Sequence, residues 1–214
     1  MKKNRILAIA LALCLVATIG LGSLAYFTAN DTVSNKFMTT TSEDPDAVLF
    51  ALDLYETSNA AGGGKTDEGN VYSDIIPGEE VVKDPTVENT GLYPQWVRMK
   101  ITVSSAQEWQ AACAAHGIED LTNIFGNFNT LWDREEITPD TTNNTLTYVY
   151  YLNDILEPGE SSTIFETVTI PAEFTVADMS TLKEFDLTIV AEAIQSEHTG
   201  DTAQEAFADC WSES

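Results

Sequence analysis

Apolar and polar residues alternate most cleanly from Gln95 to Ser104, where Val97, Met99, Ile101 and Val103 fall on one side and Arg98, Lys100 and Thr102 on the other. Period-two alternation places one side of an extended segment in a core, so this stretch predicts a strand. Val48, Phe50, Leu52 and Leu54 repeat the pattern over Val48 to Tyr55. Two further strands are predicted by composition, the aromatic and β-branched run Leu146 to Leu152 and the long run Phe185 to Gln195. Helical signals are fewer. Ala106 to His116 is alanine-rich and stops at Gly117, a short turn is expected over Val176 to Leu182, and Thr202 to Trp211 reads as a terminal helix.

Turn chemistry separates these runs. Ser58 to Asn70, centred on Gly62-Gly63-Gly64, is expected to be a flexible surface loop, Thr138 to Thr145 a turn-rich loop, and Ile118 to Leu131 fits neither helix nor strand clearly. Pro85 interrupts the extended run Val81 to Asn89 and argues for an edge or a bulge. Pro77-Gly78-Glu79 and Pro158-Gly159-Glu160 each follow an apolar pair and precede an extended segment, which suggests two equivalent corners of a sandwich. Many strands without β-α alternation predict an all-β, mainly antiparallel sandwich with one or two inserted helices and a C-terminal helix.

The amino terminus changes the picture. Lys2, Lys3 and Arg5 precede an apolar run, Ile6 to Leu21, and Ser23-Leu24-Ala25 supplies the small residues a signal peptidase selects. Residues 1–25 are therefore expected to be a signal peptide cut between Ala25 and Tyr26, leaving no stable membrane span. Residues 26–46 form a leader and 47–214 the sandwich domain. In the leader, Phe27, Ala29, Val33 and Phe37 make an incomplete apolar stripe opposite Thr28, Asn30, Thr32, Ser34 and Lys36. Cleavage leaves seven basic against thirty-four acidic residues, a formal charge of −27. Such a surface repels phosphate backbones, so nucleic acid is not an expected partner.

Candidate chemistry is sparse. His116 and His198 lie far apart with no H-E-x-x-H spacing, and nucleophile-elbow, Walker A and dinucleotide fingerprints are missing, so no cofactor and no metal site is predicted. Trp96, Trp109, Trp132 and Trp211 with Tyr148, Tyr150 and Tyr151 are expected in packing rather than on a carbohydrate platform. Cys113 and Cys210, the only cysteines beyond the signal, each lie near a tryptophan in a helical stretch; a disulfide between them and a reduced pair are both open.

Several motifs, in order, carry a resemblance. Leu24-Ala25-Tyr26-Phe27-Thr28 with Asn35-Lys36-Phe37 is similar to the signal region of proteins processed by a SipW-type signal peptidase. Pro77-Gly78-Glu79, Val87-Glu88-Asn89-Thr90-Gly91, Trp96 to Ile101, Pro158-Gly159-Glu160, Val168 to Pro171 and Ala191 to Gln195 follow, and together they resemble the TasA and camelysin family of Gram-positive bacteria across most of the mature chain. The resemblance implies a jelly-roll-like sandwich, secreted to the extracellular matrix or cell surface. It further implies a homopolymer, a biofilm matrix fibre in which the leader of one subunit is donated as a strand to the next. A camelysin-like surface metallopeptidase is the rival implication, and a monomeric secreted binding module a third expectation.

Overall fold

A computed structural model describes residues 26–28, 50–60, 62–182, 184–197 and 199–211, with the side chains of 26–28, 184 and 209–211 left aside. The strands are β1 (Tyr26–Thr28), β2 (Leu52–Thr57), β3 (Lys65–Thr66), β4 (Val71–Tyr72), β5 (Glu80–Val82), β6 (Thr86–Asn89), β7 (Gln95–Val103), β8 (Phe125–Gly126), β9 (Trp132–Asp140), β10 (Thr145–Leu152), β11 (Ser161–Thr163), β12 (Thr167–Thr169) and β13 (Glu184–Gln195). Among the described residues there are three helices, α1 (Ala106–Ala115), α2 (Val176–Leu182) and α3 (Ala203–Trp211). The fold is the predicted all-β sandwich with two inserted helices and a C-terminal helix.

One layer is a six-stranded sheet in the order β4-β1-β13-β7-β10-β9. The alternation of β7 sets its packing. Met99, Ile101 and Val103 align with Ala191, Ile189 and Leu187 of β13 on one side and with Tyr150, Tyr148 and Leu146 of β10 on the other. All nine side chains are buried in one cluster. Burial of an aliphatic or aromatic side chain contributes about 1.5–3 kcal/mol, so these rows dominate the stability of the layer. The opposite face carries Arg98 and Lys100, which bind Glu192 at 2.5 and 2.8 Å, the charge balance expected for cations in an acidic sheet.

The facing layer is split by its own sequence. β6 pairs with β2 and β11, whereas β5 pairs with β12, because Lys83-Asp84-Pro85 breaks the run where Pro85 has no amide to give. Lys83 N to Glu166 O (3.0 Å) and Ile164 N to Pro85 O (3.1 Å) stitch the two parts together across the break. The two Pro-Gly-Glu turns are equivalent corners, as their sequences suggest. Gly78 and Gly159 take φ of 83° and 80°, which glycine adopts without strain. In each, the glutamate side chain accepts the amide three residues back, Glu79 from Ile76 and Glu160 from Glu157, both at 3.1 Å.

Two expected loops are corrected. Residues 58–70 contain β3, which pairs with Glu56 and Thr57 as a hairpin arm, and Asn70 is buried. Residues 138–140 belong to β9, whose sequence Asp133-Arg134-Glu135-Glu136 hides a strand because almost all of it faces water. The ambiguous stretch 118–131 holds a 3-10 turn, Leu121–Ile124, followed by β8.

Candidate functional site

The two edges of the six-stranded sheet are built differently. β9 closes one edge with exposed Asp133, Arg134, Glu135 and Glu136, ends in Pro139-Asp140, and shifts register against Val149 and Tyr150 so that Glu135 bulges out. Charge, proline and a bulge are the devices that stop an edge from pairing with another chain. The other edge is kept short instead. There β4 is two residues long, and Val71 on it is 57% exposed, as are Ile76 and Val82 further along the chain at 64% and 56%.

Just inside that edge lies the leader. Tyr26, Phe27 and Thr28 align in parallel with Glu184, Phe185 and Asp186 of β13, and Phe27 and Thr28 align antiparallel with Tyr72 and Val71 of β4. The leader therefore occupies a slot between β13 and β4. It is the one parallel pairing among the described strands, joining the leader to the last strand. In the single chain the leader thus completes its own sheet, the alternative to donation into a neighbour. Ala25, Ala29, Val33 and Phe37 lie outside the described residues, as do the bounds 1–25 and 29–49.

Beyond its pairing with β1, the outer wall of the slot is held by side chains. Asn59 Nδ2 donates to Val71 O at 2.9 Å, and the Tyr72 hydroxyl donates to Val82 O. Behind them, Asn70 Oδ1 accepts from Asn59 N and Asn70 Nδ2 donates to Thr57 O, both at 2.7 Å. Next to this network, Lys83 Nζ donates to Glu56 Oε2 at 2.9 Å with the two side chains 1% and 0% exposed. Glu56 Oε1 has no hydrogen-bond partner among the described residues. A buried ion pair with one oxygen unsatisfied is costly, and it anchors the end of β2 to the β5–β6 break.

The other candidate residues serve packing. Trp96, Trp109 and Trp132 are buried with Tyr148 and Tyr150, so no aromatic platform faces solvent among the described side chains. Cys113 is a free, buried thiol. It belongs to the main cluster on one face of the sheet, whereas Phe207 of α3 packs on Trp96 and Tyr151 on the other. The side chain of Cys210 lies outside the described ones.

His116 joins α1 to α2. Its Nε2 lies 3.0 Å from Asp178 Oδ2, and its ring lies 5.6 Å from that of Phe174. His198 lies outside the described residues. Asp178 also accepts from the Thr175 hydroxyl (2.6 Å) and amide (2.7 Å), and these bonds, then His116, hold its pKa down at about 2. A depressed carboxylate pKa contributes stability that is complete above the ordinary value near 3.8 and is lost as pH falls toward 2. Titration of the Asp178 carboxyl carbon by NMR is expected to give a midpoint near 2 in the wild type and a higher one in Thr175→Ala with His116→Ala, still below the ordinary value because the residue-175 amide continues to donate.

Among the described residues no three His, Cys, Asp or Glu side chains group to hold a metal ion, and no helix is long and apolar enough to cross a membrane. No family model, no curated protein and no solved structure matches the chain.

Proposed function

We propose that the chain is a secreted subunit of an extracellular fibre, exported by its amino-terminal signal and joined head to tail by exchange of the leader strand between copies. The observation that carries this reading is the place of Tyr26–Thr28 between β4 and β13, one strand in from the edge of the six-stranded sheet. A strand held in such a slot makes the same backbone bonds whether it comes from its own chain or from another. The 21 residues from 29 to 49 set an upper reach of about 70 Å, enough for either arrangement. The strand also starts at Tyr26, the first residue expected after cleavage.

Exchange in trans is heterologous. Each copy gives a strand and receives one, so the contact does not close and generates filaments. The ordered motifs shared with the TasA and camelysin family support the same reading. Electron microscopy of the chain beginning at Tyr26, at rising concentration, is expected to show filaments that lengthen with added salt, because screening weakens repulsion among acidic copies. Monomers at every concentration and ionic strength would refute the proposal.

A further inference from the structure

A second feature is independent of the leader. Between the C-terminal half of α1, the 3-10 turn and the β9–β10 edge lies a cavity of about 680 Å³. Sites for small molecules span roughly 300–1,000 Å³. Buried Cys113, Leu121, Leu146 and Tyr148 line its inner part, and exposed Glu119 and half-exposed Ile137 stand at its mouth.

Its chemistry is selective. Tyr148 is 2% exposed, and its hydroxyl has no hydrogen-bond partner among the described residues, an arrangement that leaves a donor free to point into the cavity. An occupant that accepts this bond replaces water at the hydroxyl with a hydrogen bond made inside the cavity. Asp120 is committed elsewhere, accepting from Arg134 at 2.6 Å and from Thr122. Burial, reinforced by the Asp120 charge, pushes both the Tyr148 hydroxyl and the Cys113 thiol above their ordinary pKa, so both are neutral at pH 7. With Glu119 at the mouth and a strongly acidic chain around it, an anion is repelled.

We propose that this cavity binds an uncharged, compact apolar molecule with one hydrogen-bond-accepting oxygen, received by the Tyr148 hydroxyl. Camphor, a bicyclic ketone, is a suitable probe, and camphor-10-sulfonate is the same skeleton with a negative charge. On the folded chain beginning at Tyr26, camphor is expected to shift the methyl resonances of Leu121, Ile137 and Leu146 saturably and to slow alkylation of Cys113 by iodoacetamide. The sulfonate is expected to do neither. Tyr148→Phe is expected to weaken camphor about 5- to 10-fold, the usual worth of one hydrogen bond. Ile137→Trp, at a half-exposed strand position, is expected to close the mouth and abolish the shifts with the fold intact. The proposal is overturned if camphor gives no saturable shift up to its solubility limit, if the sulfonate binds equally well, or if Tyr148→Phe leaves camphor binding unchanged.

Discussion

Replacing Lys83 by Met is expected to destabilise the sandwich by about 3–5 kcal/mol, enough to unfold a large fraction of a marginally stable domain. The reason lies with the partner left behind. Lys83 and Glu56 are almost wholly buried, Glu56 Oε1 is already without a partner among the described residues, and removing the ammonium leaves a carboxylate with no compensating charge. The double change Lys83→Met with Glu56→Leu is expected to restore most or all of the wild-type midpoint in urea, since a buried pair replaced by apolar residues of similar volume is often neutral or stabilising. Denaturant titration of the two variants decides the matter. A single variant as stable as the wild type would mean that Glu56 is not buried as a charge.

Deleting residues 26–38 is expected to have the largest effect on assembly and a small one on the fold. β1 contributes three residues to a six-stranded sheet whose buried rows lie in β7, β10 and β13, so the core survives without it. What disappears is the strand proposed for donation. The deletion variant is expected to remain a folded monomer, with the urea midpoint lowered modestly, and to form no filaments at concentrations where the longer chain does. Added in excess, a peptide of residues 26–38 is expected to occupy the open slot by strand addition and to cap growing filaments. Filaments that form unchanged without the leader would place the subunit contact elsewhere.

Alternation makes one part of this fold legible in the residues alone. β7 buries one face and so carries a period of two, while the β10 and β13 runs, α1 and both Pro-Gly-Glu corners announce themselves by composition and turn chemistry. β9 is not legible, because an edge strand defended by Asp133, Glu135 and Glu136 has no apolar face to show. β3 is hidden by the glycines before it. The slot for Tyr26–Thr28 depends on pairing with residues 184–186, a separation over which local pattern carries no information. The same holds for Lys83 with Glu56, two charged residues that look like ordinary surface positions until the chain brings them together, and for Tyr148, whose place in the cavity wall depends on what α1 leaves open above it.

The register of the slot supplies the most direct test of strand exchange. Thr28 and Val71 are Cα partners across the β1–β4 pairing, so cysteines at both positions report which chain supplies the strand. In Thr28→Cys with Val71→Cys, oxidation of preformed filaments is expected to give a ladder of covalent oligomers on a non-reducing gel, whereas oxidation of dilute monomer gives a closed monomer that no longer polymerises. Filaments that yield only internally cross-linked monomer would contradict the account, because every leader would then be seated in its own sheet.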